Sequence, residues 1–165
     1  MTDARFGDIG AALARLPRGG GVVFRHYDLQ RAKRYRLFRA IRRLARKRRQ
    51  VVLLADRPAI ARAWGADGAH HRSLLPSRGL RTVAVHNRRE AALAERIGAD
   101  LIFVSPAFAT RSHPGARPLG RVRLGLVAGP MRAKAVALGG MNRKRALSLR
   151  ALGLHGWAGI NAFSA

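Results

Sequence analysis

The chain has 165 residues, no cysteine, and 33 lysines and arginines against 8 acidic residues, for a formal charge of +25. The length suits a single domain, and a hydrophobic content of 48% excludes a disordered tail. The lack of cysteine excludes a disulfide scaffold, a thiolate zinc site, an iron–sulfur cluster and a cysteine nucleophile.

The charge invites a nucleic-acid reading. Two features weigh against it. Only four of the 33 basic residues are lysine, and an arginine excess also arises from coding bias toward G and C. The aromatic content of 6% is low for stacking on unpaired bases. Nucleic-acid binding is therefore kept as the minor alternative. No run approaches the roughly 20 apolar residues that span a bilayer, so no membrane partner is expected. With Asp3, Arg5 and Asp8 near the start, no secretory signal is expected there, and the expected location is the cytoplasm of a bacterium-like cell.

Short apolar runs alternate with helical patterns. A helix is expected from Gly7 to Leu16, then a strand from Val22 to Tyr27. Leu29 to Arg49 reads as a helix, with Leu37, Phe38, Ile41, Leu44 and Ala45 on one face and eleven basic residues between Arg31 and Arg49 covering the rest. Val51 to Asp56 is a strand apolar enough to be covered on both faces. Pro58 starts a short helix to Trp64, and Gly68 to His70 is a very short strand. After a loop from Arg72 to Leu80 come the strand Thr82 to His86 and the helix Arg88 to Ile97. Asn87 and Glu90 form its capping box. Leu101 to Ser105 is a strand, Ala109 to Pro118 a polar loop, and Leu119 to Val127 a helix. Ala135 to Leu138 is a strand ending in Gly139-Gly140. Asn142 caps the helix Arg143 to Leu152, and Trp157 to Ile160 is the last strand.

Strands and helices in this alternation predict a parallel α/β sheet. No Gly-x-Gly-x-x-Gly follows a strand and no P-loop is present, so a (β/α)8 barrel fits better than a dinucleotide fold. Polar residues gather at the strand ends, where such folds bind ligands. Gly139-Gly140 and Gly159-Ile160-Asn161 follow the last two strands, the usual place of a phosphate cradle. Their alternative role is to make tight turns. Asp56 can hold Mg²⁺ or pair with Arg57 or another arginine. Arg25 can bind a phosphate or carboxylate, or form a salt bridge to Asp56. His70, His71, His86 and His113 share the rim but lack the i, i+4 spacing of a helical zinc pair. His86 and His70 are read as hydrogen-bonded residues open to proton transfer. Thr110, Ser112 and His113 lie in a loop that can fold over a ligand or remain plain surface.

The segments Ala66-Asp67-Gly68-Ala69-His70, Val85-His86-Asn87, Gly98 to Thr110, Ala137-Leu138-Gly139-Gly140-Met141-Asn142 and Gly156 to Ala162 together resemble the thiamine-phosphate synthase/TenI-type family. The resemblance covers most of the chain and implies a single barrel domain over residues 1–165. It implies thiamine biosynthesis by a transferase that joins a hydroxymethylpyrimidine diphosphate to a thiazole phosphate, with Mg²⁺, releasing pyrophosphate. Alternatives within the resemblance are a TenI-type thiazole tautomerase and a non-catalytic phosphate-ligand-binding paralogue. Homo-oligomerisation is left open. The resemblance places the thiazole phosphate on backbone groups at Gly139-Gly140 and Ile160-Asn161, and the thiazole against Thr110 and Ser112. It makes Asp56 a Mg²⁺ ligand and Arg25 the arginine on the diphosphate side, with His86 and His113 as further catalytic candidates.

The departures fall on one half of the site. The family's Gln-x-Arg-x-Lys reads Val23, Arg25, Tyr27, and the carboxylate that supplies a second Mg²⁺ ligand is replaced within Arg72-Ser73-Leu74-Leu75. The asparagine before Asp56 is Ala55, the pyrophosphate-binding serine is Ala84, the loop lysine is His113, and the tautomerase histidine falls at Pro106. About 200 residues is the usual lower end for such a barrel. The expectation is an N-terminally truncated barrel of seven full strands, with only the end of the first strand at Met1-Thr2-Asp3 and Met1 internal to a longer frame, or else an open barrel.

Overall fold

A computed structural model describes residues 1–2, 8–75, 78–110, 115–160 and 162–163. The chain forms two compact units, residues 1–80 with 160–165, and residues 81–159. Both are parallel α/β, as the alternation predicts.

The first unit begins with α1, Ile9–Arg15, capped by Asp8, whose carboxylate accepts from the N–H groups of Gly10 and Ala11. Strands β1 (Gly21–Phe24), β2 (Val51–Leu54) and β3 (Gly68–His70) pair in parallel, Gly21 opposite Val51 and Leu53 opposite Gly68. Helices α2 (Arg31–Lys47) and α3 (Pro58–Trp64) connect them. Thr2 makes an isolated parallel bridge to Phe24, its N–H donating to the Val23 carbonyl at 2.9 Å. The core contains Leu13, Val52 and Leu54 around Phe24, Phe38 and Trp64, with Phe24–Phe38 and Phe38–Trp64 ring centroids each 5.6 Å apart.

The buried stripe of α2 is Arg34, Phe38, Ile41 and Ala45, at spacings of four, three and four residues. This corrects the expected face: Leu44 is 45% exposed and an arginine takes part in the buried row. Strands β1 and β2 also end sooner than expected, which leaves Arg25 one residue and Asp56 two residues past the last paired positions.

The second unit holds β4 (Leu80–Val85, entered at Arg81), β5 (Leu101–Val104), β6 (Lys134–Leu138) and β7 (Gly156–Ala158), again in parallel register. Between them lie α4 (Arg88–Arg96), α5 (Gly120–Ala128) and α6 (Arg143–Ser148), the last running into a 3₁₀ turn at Arg150–Leu152. Ile102, Val104, Val85, Leu124 and Ala137 form its dry centre. Both expected asparagine caps are present: Asn87 accepts from the Glu90 N–H at 2.9 Å and Asn142 from the Arg145 N–H at 2.8 Å.

Candidate functional site

The strand ends of the first unit carry Arg25, Asp56 and His70, and Arg34 binds two of them. Its Nε donates to the Arg25 carbonyl at 2.9 Å, its Nη1 to Asp56 Oδ2 at 2.7 Å and its Nη2 to the Ala55 carbonyl at 3.0 Å. The guanidinium lies 5.3 Å from the Tyr27 ring centre, 5.4 Å from Trp64 and 6.0 Å from Phe24. Burial among these rings is compensated by three hydrogen bonds and an opposite charge, which a buried guanidinium needs. Asp56 therefore pairs with Arg34, not with Arg25 or Arg57. Its Oδ1 accepts from the Arg57 backbone N–H at 2.8 Å. Arg25 itself is only partly buried, beside Tyr27 at 5.6 Å.

Magnesium, implied by the resemblance, does not fit this arrangement. A guanidinium on Asp56 Oδ2 occupies the ligand and repels a divalent cation, and the described residues gather no group of three histidine or acidic side chains.

His70 ends β3. Burial first, then Arg25, the N-terminus, His71 and Arg72, pushes its imidazole down to about 4, so it is neutral at pH 7. The unfolded chain takes up this proton near pH 6.5 and the folded chain near 4. Stability contributed through His70 is thus intact above pH 6.5, falls as the pH drops toward 4, and levels off below. The loss is at most about 3 kcal/mol. Urea titrations between pH 4.5 and 7.5 should show a shallower acid loss for His70→Gln than for the parent chain; equal slopes would refute the assignment.

In the second unit, Gly139 and Gly140 follow β6 with φ of +92° and +62°. A Cβ on Gly140 would stand 2.4 Å from the Ala109 carbonyl oxygen, so only glycine lets this turn approach the segment that leads to Thr110. The Phe108 N–H donates to the Gly139 carbonyl at 3.1 Å and the Ala107 N–H to Leu138 at 2.8 Å. Arg145, in α6, donates to the Gly140 carbonyl and lies 4.9 Å from the Phe108 ring centre. The two glycine carbonyls are thus tied down, while no described residue accepts from the N–H of either glycine. His86 is half exposed at the end of β4, its Nδ1 2.9 Å from Glu90 Oε2, which also accepts from the His86 N–H at 3.0 Å.

Gly139, Gly140 and the Thr110 segment are thus brought together, and Arg25 and Asp56 are linked through Arg34. Ile160 belongs to the first unit and is partly buried. Ser112, His113 and Asn161 lie outside the described residues. Sequence reasoning missed Arg34 and Arg145. Arg34 had a signal, a cation in register with Phe38, Ile41 and Ala45. Arg145 had a weaker one: at the third position of a capped helix a long side chain reaches back toward the preceding turn, as a capping-box residue does.

Parallel strands whose C-terminal ends carry a glycine turn in one unit and a buried arginine in the other define a parallel α/β protein, a class in which strand-end loops are the usual place for ligands. Residues 10–163 match the family described as thiamine monophosphate synthase. A protein of Aquifex aeolicus bearing a thiamine-phosphate synthase designation is 34% identical over 151 residues, 86% of this chain and 81% of the relative. The thiamine-phosphate synthase of Chloroflexus aurantiacus is 31% identical over 157 residues, 87% of this chain and 72% of the relative. Among solved structures, a thiamine phosphate pyrophosphorylase from Pyrococcus furiosus shares the fold with a TM-score of 0.78 at 24% identity, covering 95% of this chain and 80% of that one. The chain belongs to the thiamine monophosphate synthase family, a family of thiamine biosynthesis.

Proposed function

We propose that the protein is a thiamine-phosphate synthase-like transferase. It binds a thiazole phosphate at the Gly139-Gly140 turn and joins it to a hydroxymethylpyrimidine diphosphate, the bond to the diphosphate breaking as the new bond forms and pyrophosphate leaving. The carrying observation is that turn, closed against Ala109 and anchored by Arg145, with two backbone N–H groups that no described residue takes. Backbone donors held by glycine approach a phosphate more closely than any side chain would permit. Thr110 is the described member of the loop expected to touch the thiazole; Ser112, His113, Ile160 and Asn161 remain candidates from the resemblance.

On the diphosphate side, Arg25, partly buried beside Tyr27, is the arginine the resemblance carries over, and the exposed Arg57 and Arg72 add positive charge in the first unit. His86, oriented by Glu90, is the proton-transfer candidate of the second unit. The eight-stranded barrel is likewise a proposal, and the parallel bridge from Thr2 to Phe24 beside β1 supports it. The described residues include no helix long and apolar enough to cross a membrane, and a cytoplasmic location remains the reading.

The test is the coupling reaction with both substrates, read as thiamine phosphate formed, beside calorimetric titration with thiazole phosphate alone. Product formation that survives chelation of divalent cations is expected. Thiazole phosphate binding without product favours the tautomerase or binding paralogue, and no binding of thiazole phosphate refutes the reading.

A further inference from the structure

We propose that the outward face of α2 is a docking surface for double-stranded DNA, held through its phosphates. Phe38, Ile41 and Ala45 fix the inward face of this helix in the core. Opposite them Arg36, Arg39, Arg43 and Lys47 follow one another at spacings of three and four residues, all exposed, with Lys33 and Arg46 at their flanks. The helix contains no acidic residue. Of the four acids among the described residues of the same unit, three are occupied elsewhere: Asp8 caps α1, Asp56 holds Arg34, and Asp67 accepts from the Val52 N–H at 2.8 Å. Asp28, exposed, precedes the N-terminal end of the helix.

Such a stripe is unfavourable for the helix itself. Like charges three or four residues apart each cost about 0.2–0.5 kcal/mol. The helix dipole favours cations only in the last turn, so it accounts for Arg46 and Lys47 but not for Arg36 or Arg39. A polyanion along the stripe removes that repulsion and releases its own counterions.

The chemistry of the face selects among polyanions. A lipid surface takes a helix by its apolar side, and here that side is in the core. Single strands need open aromatic platforms, whereas Tyr35 is packed at 5.1 Å from Trp64 with Arg39 over it at 5.9 Å. A helix about 25 Å long and about 10–12 Å across matches the roughly 12 Å major groove of B-form DNA, while the major groove of duplex RNA is too narrow.

The test is fluorescence anisotropy of the full chain with a 20-base-pair DNA duplex across a salt series. The variant R36Q/R39Q/R43Q/K47Q should lose on the order of a hundredfold in affinity near 0.1 M salt and flatten the log–log salt slope by about 3–4. The control R89Q/R96Q/R121Q/R123Q removes the same charge from exposed positions on α4 and α5 and should bind as the parent does. Thermal melts verify that both variants are folded. Equal losses in the two variants would mean binding by net charge alone and overturn the proposal. So would tighter binding of an RNA duplex of the same length, or binding to phosphatidylglycerol vesicles without binding to DNA. Thiazole phosphate titrations of the same variants stay unchanged whichever way this test falls, so the outcome is separate from the synthase reading.

Discussion

Replacing Arg34 with leucine is expected to lower the melting temperature by about 4–12 °C. The side chain makes three hydrogen bonds, to two strand-end carbonyls and to Asp56, from a position that is 10% exposed. Removing one partner of a buried ion pair costs about 3–5 kcal/mol. Asp56 keeps 22% exposure and the Arg57 N–H as a donor, which lowers the expected loss to about 2–3 kcal/mol. For a chain of this size each kcal/mol moves the midpoint by about 2–4 °C. Asp56→Asn should cost less, because Arg34 keeps its bonds to Arg25 and Ala55 and an amide oxygen still accepts. The double variant should show coupling of about 1–2 kcal/mol. The same pairing predicts that millimolar MgCl2 leaves the parent melting temperature unchanged relative to EDTA. Purely additive losses, or a magnesium-dependent stabilisation of the parent chain, would show that Asp56 is not committed to Arg34.

The second large effect is expected at Gly140. An alanine there must adopt φ +62° and place its Cβ 2.4 Å from the Ala109 carbonyl oxygen and 2.9 Å from that of Phe108, both main-chain atoms that cannot swing away. The turn has to open, and with it the approach between the glycine N–H groups and the Thr110 segment. A loss of about 2 kcal/mol in stability and of at least about tenfold in affinity for thiazole phosphate is expected. Gly153→Ala is the matched control. It shares φ +62° but has nothing within 4 Å of its added Cβ, so it carries the backbone strain without the collision. It should cost about 1 kcal/mol and leave ligand affinity unchanged, as calorimetry would show. If the two variants behaved alike, strain alone would explain Gly140 and its place in a ligand cradle would fall.

These two residues differ in how far the sequence reveals them. Gly140 is visible at once, since a double glycine after an apolar run marks a turn of special conformation. What it approaches is not visible, because Ala109 is thirty-one positions away in the chain. In the sequence Arg34 is one cation among the many of a basic helix. The apolar stripe admits two neighbouring choices one residue apart, through Leu37 and Leu44 or through Phe38 and Ala45, and both have helical period. Only contact with Phe24 and Trp64 selects the second, and that choice carries Arg34 inward with it.

Local chemistry alone settled the order of strands and helices, the caps at Asn87 and Asn142, the start of α3 at Pro58 and the glycine turn after β6. Each of these depends on residues within about four positions of one another, where backbone dihedrals and short-range hydrogen bonds decide. Tertiary structure decided the partner of Asp56 twenty-two residues back in the chain, the anchoring of Gly140 by Arg145 and the neutral state of His70. Those are properties of burial and of charges brought close by packing, and neither has a periodicity to read. The excess of basic residues divides the same way. Composition shows that there are 33 of them against 8 acids; only the packed helix shows that Arg34 is held inside by Asp56 while Arg36, Arg39, Arg43 and Lys47 face outward in one row.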